Sequence, residues 1–415
     1  MSLLRPRLSG PPRAGLVFIA ITVCLDVVSQ SITFPILPQL TLQLLHGDRP
    51  GAARWVGILE AAWAIAQFFA APVLGMLSDR FGRRPVIVFS VFGVAVEFVM
   101  CAFAPTIGWL MAARVLCGLT CGAQAAAMAY VADVTPVEAR TKSYGWLNAA
   151  AWTGVILGPA LGGLLAVVGI RAPFWAAAAF ALANGVYGFF VLPESLPAKD
   201  RAPIRWSKAN PWGALSLMLR PGLPALGLVL LLLWFAAYAM NSVFVLYTSY
   251  RFGWDPLALG IFCSALAVAN IAVQTGLAGR IAQAIGERRA VIAGLALQTL
   301  GFILVGFAPN GALFWAANLP IALGGVAGPA LQSLMTAKVG PDEQGRLQGA
   351  TGGIGSLTGF MGPVAFTQVF AWTIAQGHGR AWSGLTILMG AVLSLLAWAL
   401  VVGFTRDAPA PATAP

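Results

Sequence analysis

The feature that most constrains this chain is an alternation repeated twelve times: an apolar stretch of about 20 residues or more, then a short turn that collects the charges. The turn Gly75-Met76-Leu77-Ser78-Asp79-Arg80-Phe81-Gly82-Arg83-Arg84-Pro85 has long apolar runs on both sides. A water-soluble domain has no reason to bracket a turn in this way. A bilayer does, because it expels charge into the connections. Candidate spans fall at roughly 15–42, 54–76, 86–105, 108–132, 143–167, 172–192, 222–248, 257–279, 290–308, 311–336, 347–372 and 383–404. Only 9% of the residues are charged, against about 25% in soluble domains. The reading is an all-α polytopic membrane protein.

Charge distribution predicts its orientation. With twelve spans both termini share a side. That side carries 19 of the 25 Lys and Arg residues, and the opposite side carries five (Arg49, Arg54, Arg171, Arg251, Arg380). Basic excess marks the cytoplasmic face, so both termini are expected in the cytoplasm of a cell (inner) membrane protein. The net charge of +11 is spread over loops and makes no nucleic-acid-binding face. The N-terminal arginines and apolar run look like a signal peptide, but the run is too long and contains Asp26, so it reads as an uncleaved first helix.

The connection after the sixth span is the longest and is rich in Pro, Lys and Arg. It predicts a bundle over 1–192, a cytoplasmic linker over 193–221 and a second bundle over 222–415. The bundles repeat. A shift of 204 residues carries Gly75 onto Gly279, Gly82 onto Gly286, Arg84 onto Arg288, Gly158 onto Gly362 and Pro159 onto Pro363. Two pseudo-symmetric six-helix bundles describe a secondary transporter working around a central site.

Four ionisable residues fall inside spans: Asp26, Glu60, Glu97 and Arg114, all in the first half. Each would cost about 2.5–3.5 kcal/mol or more if ionised against lipid at mid-bilayer. They must face a cavity, pair or stay neutral. A carboxyl group in such surroundings can hold a proton and release it when the surroundings change, which is what proton coupling requires. Arg114 is a counter-ion for either Asp26 or Glu97. The second half offers amides instead, among them Asn270, Gln298 and Asn318. Proton handling is thus expected in the first half and a neutral cavity wall in the second.

The five cysteines all lie in spans and read as small apolar packing groups; His46 and His378 lie in external loops. No metal site, cofactor or catalytic constellation is expected, so the chain is read as a transporter and not an enzyme. In the fifth span Gly145, Gly154, Gly158-Pro159 and Gly162-Gly163 place small residues at helical spacing, which lets backbones approach closely.

These residues carry a resemblance. Gly75 to Arg84 fits the loop signature of the major facilitator superfamily, and the fifth-span glycines resemble its antiporter motif. Leu25-Asp26-Val27, Phe34-Pro35-Ile36-Leu37-Pro38, Gln67-Phe68, Ala129-Tyr130-Val131-Ala132-Asp133 and Val191-Leu192-Pro193-Glu194-Ser195 resemble the tetracycline-efflux group. The resemblance implies the major facilitator fold and proton-driven antiport of an amphipathic drug by alternating access. Tetracycline or a related compound is the first candidate, alone or as a metal chelate, carried by a monomer in the bilayer. It assigns proton coupling to Asp26, Glu97 and Arg114, with Glu60 added here. It implies cavity positions at Gln67 and Asn184, to which the amides Asn148, Asn270, Gln298 and Asn318 are added here as expected cavity residues. It implies a gate of Gly75, Asp79, Arg80, Gly82, Arg83, Arg84, Asp133, Glu138 and Arg140. Asp79 is expected to latch onto the start of the eleventh helix near Leu347, and Arg83 or Arg140 to pair with Asp133 or Glu138. Asn270 and Gln298 stand where the group has His and Asp, and Glu60 where it usually has an apolar residue. A proton-coupled symporter importing a sugar or other small metabolite is the alternative.

Overall fold

The computed structural model describes residues 12–136, 139–203, 216–340, 343–376 and 380–404. Among them twelve helical segments are long and apolar enough to cross a membrane: α1 (Gly15–Leu44), α2 (Arg49–Phe81), α3 (Arg83–Phe103), α4 (Ile107–Val134), α5 (Lys142–Ala166), α6 (Ala172–Phe190), α7 (Pro224–Asn241), α8 (Pro256–Ile285), α9 (Glu287–Phe307), α10 (Gly311–Thr336), α11 (Arg346–Ala375) and α12 (Trp382–Gly403). Several run past the apolar spans read from sequence. α2 begins five residues earlier, where the Asp48 side chain accepts from the Gly51 N–H at 3.1 Å, and continues through Arg80. Polar residues extend a helix beyond hydrocarbon without cost in apolar burial.

Four spans are not continuous. α1 turns at 34–36 before resuming at Leu37, and α4 breaks at Cys121-Gly122. α7 ends at Asn241, short of the predicted 248, and a separate helix covers Phe244–Phe252. α10 breaks after Gly324. Pro35 explains the first interruption, since it lacks an N–H and pushes the residue before it off helical geometry. At the second, the Gly122 N–H finds the Ser90 hydroxyl at 3.3 Å. The first and seventh spans, and the fourth and tenth, occupy matching places in the repeat. Irregular backbone at membrane depth is tolerated where protein covers it or a cavity receives it. α8 contains a turn of π-helix at Val273–Leu277, a distortion frequent at functional sites.

The chain forms two compact units. The first holds α1 to α6 with Trp254–Ala267 at the start of α8; the second holds α7, α8 from Val268, and α9 to α12. In the first unit α1 lies on α5 and α6, α3 on α4 and α6, and α2 on α4. Its interior is packed by Ile36, Leu40, Phe98, Leu110 and Phe174 toward one end and by Ile19, Leu74, Ile87, Tyr130 and Val131 toward the other. In the second, α7 lies on α11 and α12, and α9 on α10 and α12, around Leu226, Leu230, Leu295, Leu331 and Val401.

The α5 glycines make the first unit possible. A Cβ on Gly154 would sit 2.8 Å from Val27 Cβ, one on Gly158 2.3 Å from Ser31 Cβ, and one on Gly162 2.0 Å from the Ile32 carbonyl oxygen. Gly154, Gly158 and Gly162 therefore form the groove against which α1 lies. Gly163 serves a different neighbour within the same unit: its Cβ would stand 2.5 Å from the Pro256 carbonyl oxygen. Ser264 of that stretch donates to the Ile156 carbonyl at 2.5 Å. Gly145 has open space around it.

Candidate functional site

The intramembrane charges of the first unit gather on facing helices. Asp26 is 6% exposed on α1. Its Oδ2 accepts from Gln30 Nε2, one turn along, at 2.9 Å, while its buried Oδ1 has no partner. Glu97 of α3 is 1% exposed and its Oε1 takes Arg114 Nη2 of α4 at 2.5 Å, with Cys101 Sγ donating to the same oxygen at 3.3 Å. Arg114 is thus the counter-ion of Glu97, not of Asp26. The pair is incomplete: Glu97 Oε2 and Arg114 Nε are buried without hydrogen bonds. Removing one member of such a buried pair costs about 3–5 kcal/mol where no other group takes up the charge left behind.

Glu60 of α2 is half-buried and lies within electrostatic reach of Arg114 and Glu97. Cys117 and Cys121 couple electrostatically to Asp26 as well as to the Glu97–Arg114 pair, so the charges on α1, α2, α3 and α4 belong to one neighbourhood. Gln67 of α2 donates to Cys121 Sγ at 3.4 Å, at the α4 break. The sequence marks these acids by their rarity. It gives no comparable signal for Cys101 or Cys121, and Gln30 is betrayed only by its spacing of four from Asp26.

The expected cavity amides divide. Asn184 is fully buried, and its Nδ2 donates to the Thr22 carbonyl at 2.9 Å, fastening α6 to α1 one turn before Asp26. Asn318 is 4% exposed and donates to Phe314 in its own helix at 2.7 Å. Both serve packing, and only Asn184 keeps an idle polar atom, Oδ1. Gln298 is buried with a partnerless Oε1. Asn148 is exposed, and Asn270 is half-buried one turn before the α8 π-turn.

At the other end of the first unit the charged turn is strapped down. Arg83 Nη1 binds Asp79 Oδ1 at 2.5 Å and Ser78 Oγ at 3.2 Å, and its Nε binds Asp133 Oδ2 at 3.0 Å. Glu194 accepts the Arg83 backbone N–H at 2.8 Å, and Ser195 donates to Asp133 at 3.0 Å. The Ala202 N–H reaches the Asp79 carbonyl at 3.1 Å. Gly82, with φ +112°, leaves room for the Glu194 carboxylate, which a Cβ would meet at 2.2 Å. The Arg84 guanidinium reaches the Phe189 carbonyl and lies over the Phe189 ring. Arg140 binds the Ala132 and Thr135 carbonyls at the end of α4, and of the expected ion pairs Arg83–Asp133 is present. Arg80 is exposed, and Gly75 has open space around it. Glu138 lies outside the described residues. The sequence flagged Glu194-Ser195 by resemblance without giving them this role.

The profile of the Major Facilitator Superfamily matches residues 19–363. The chain belongs to the major facilitator superfamily. Within it the chain is similar to the class C tetracycline resistance protein of Escherichia coli, at 34% identity over 385 residues, 92% of this chain and 95% of that one. The class B protein of Escherichia coli is 30% identical over 86% of this chain and 89% of its own length. Among solved structures, the D-xylose-proton symporter matches with a TM-score of 0.75 at 18% identity, covering 94% of this chain and 97% of that one. The human organic anion transporter MFSD10 matches with a TM-score of 0.68 at 24% identity, covering 95% and 100%. These two likenesses are of fold. The chain is a multi-pass, tetracycline-efflux-like superfamily member, a transporter and not an enzyme.

Proposed function

We propose that this transporter exports an amphipathic drug, cationic or carried as a metal chelate, in exchange for protons, with tetracycline or a related compound as its first candidate. The observation that carries the reading is the buried, incompletely satisfied acid set of the first unit: Asp26 with one idle oxygen and Glu97 with one idle oxygen beside Arg114. Full-length similarity to tetracycline resistance proteins supports the substrate class.

In this reading, ionised Asp26 and Glu97 attract the cationic substrate while the site is open to the cytoplasm. After outward opening, protons arriving from outside neutralise the acids and the substrate leaves. The protonated carrier returns and delivers the protons inside. Each charge moved inward contributes about 2.3 kcal/mol per 100 mV, roughly a fifty-fold concentration ratio. Both termini lie in the cytoplasm, and the Asp79–Arg83–Asp133 cluster belongs to the cytoplasmic gate, with Asp79 the residue that exchanges partners as the gate works.

Everted membrane vesicles from a drug-efflux-deficient strain test this directly. The expected result is respiration-driven tetracycline uptake that an uncoupler collapses and that Asp26→Asn abolishes. Uptake that survives the uncoupler would remove proton coupling from the account. Absence of tetracycline uptake, alongside uncoupler-sensitive uptake of another cationic drug, would remove tetracycline alone.

A further inference from the structure

Glu60 is the acid the ion pairing leaves over. Among the described residues it makes no hydrogen bond or ion pair, yet the charges acting on it are those of Arg114 and Glu97. Backbone packing fixes why. A Cβ on Gly118 of α4 would meet the Trp63 carbonyl oxygen at 2.4 Å, Ala66 Cβ at 2.6 Å and the Gln67 N at 3.0 Å. α4 therefore touches α2 at Trp63–Gln67 with Gly118 as the point of contact. α2 and α4 are alternate spans and run in the same direction. Arg114 stands one turn before Gly118, about 6 Å back along α4, and Glu60 stands three to seven residues before the Trp63, Ala66 and Gln67 contacts, about 5–10 Å back along α2. Glu60 on α2 and Glu97 on α3 thus approach Arg114 from two different helices.

Arg114 is equipped for two partners. Its guanidinium carries five N–H donors. It spends Nη2 on Glu97, and its buried Nε is unpaired. The remaining titratable neighbours are the thiols of Cys101 on α3 and of Cys117 and Cys121 on α4. They bring no permanent charge.

From this juxtaposition we infer that Arg114 is shared: Glu97 and Glu60 take turns as its partner, holding one proton between them, and Glu60 is what lets the Glu60–Glu97–Arg114 set add a negative charge to that of Asp26 in facing a cationic substrate. The charge count is simple. With one acid ionised against Arg114 and the other protonated, the three groups are neutral. When a proton reaches Glu97, its pair opens, the guanidinium passes to Glu60, and the proton on Glu60 leaves to the cavity. The three groups are neutral before and after. Only when both acids lose their protons does the set carry a single negative charge, which a monocationic substrate can balance. With a neutral side chain at position 60, the Glu97–Arg114 pair can reach zero or positive charge but never negative. Glu60 is then a specificity-determining residue for charge. The transport consequence rests on the proton-antiport reading; the sharing of Arg114 does not.

The test uses the full chain in lipid nanodiscs without any drug, so its outcome is separate from that of the vesicle experiment. Thermal melting is followed by tryptophan fluorescence for wild type, E60Q, E97Q, E60Q/E97Q and E60Q/E97Q/R114Q. Sharing predicts a double-mutant cycle that is not additive. Each single variant keeps an arginine partner and loses little, the double variant loses more than the sum of the two, and removing Arg114 from the double variant recovers melting. If the double variant fails to reach the membrane, recovery of membrane abundance in the triple variant reads the same effect. Infrared difference spectra supply a readout that packing alone would not move. The protonated-carboxyl C=O band removed by E60Q is also removed by E97Q, because in that variant Glu60 is ionised against Arg114. Additive losses, with the Glu60 band intact in E97Q, would overturn the inference.

Discussion

At Thr106 a side-chain oxygen accepts the Trp109 N–H at 3.4 Å and opens α4; 204 residues later Asn310 does the same for Leu313 at 2.9 Å and opens α10. Gly82 and Gly286 both stand at positive φ, +112° and +84°, between the second and third spans of each half. Arg84 reaches the Phe189 carbonyl at the end of α6, and Arg288 the Val402 carbonyl at the end of α12. α1 and α7 are both broken, as are α4 and α10. The joints of the two units are the same. The same offset carries Glu97 to Gly301 and Arg114 to Asn318. Gly301 takes Ile321 against its backbone, and Asn318 bonds its own helix. Among the described residues the strap differs too: Gly82 lies under Glu194, whereas Gly286 has nothing within 4 Å of its Cβ position. One architecture is therefore built twice and charged once. Among the described residues the second copy packs without an ion pair in its membrane interior, so the same architecture forms without a counterpart of Glu97–Arg114.

The largest effect that sharpens this comparison is on the paired glycines Gly158 and Gly362. A Cβ at Gly158 would press on Ser31 and the Ile32 N of α1, and one at Gly362 on the Tyr238 side chain of α7. Each alanine variant is expected to destabilise its unit by about 1–3 kcal/mol through overpacking, read as lost thermal stability in detergent. Only Gly158→Ala displaces the helix that carries Asp26, so it alone should change the pH dependence of transport. Equal pH profiles in the two variants would break the assignment of proton handling to the first unit.

The turn glycines come next. Both hold backbone that side chains rarely adopt, costing about 1–3 kcal/mol on substitution. Gly286→Ala should fall at the lower end of that range. Gly82→Ala should lose more, because the Glu194 carboxylate must also leave its seat on the Arg83 N–H. Limited proteolysis of the segment after Glu194 should rise in Gly82→Ala only. Unchanged cleavage there would mean the strap does not depend on Gly82.

Much of this was legible before any coordinates. Twelve spans follow from hydropathy because a bilayer enforces their length. The offset of 204 follows from glycines and prolines that backbone geometry cannot exchange. Asp26, Glu97 and Arg114 stand out because charge is rare at that depth. What stayed hidden has physical reasons. The breaks in α1, α4, α7 and α10 fall within apolar sequence, so hydropathy runs on through them. Asn184 and Asn318 look like cavity residues by type, but each donates to a carbonyl, Asn184 to Thr22 of α1 and Asn318 to Phe314 of its own helix. The choice of Glu97 over Asp26 as the partner of Arg114 depends on which faces of α1 and α3 meet α4. The clamp of Glu194 on Gly82 joins residues more than a hundred positions apart.

The central claim is that protons are exchanged in the charged copy and nowhere else. Proton release by the purified protein on adding a transported drug, followed with a pH indicator in weak buffer, measures it most directly. The account predicts release from wild type and from an Asn270→Leu/Gln298→Leu variant that retains drug binding. It predicts loss of release in Asp26→Asn and in Glu97→Gln at drug concentrations that still saturate binding. Full release from both acid variants, or its loss on changing only the second unit, would contradict it.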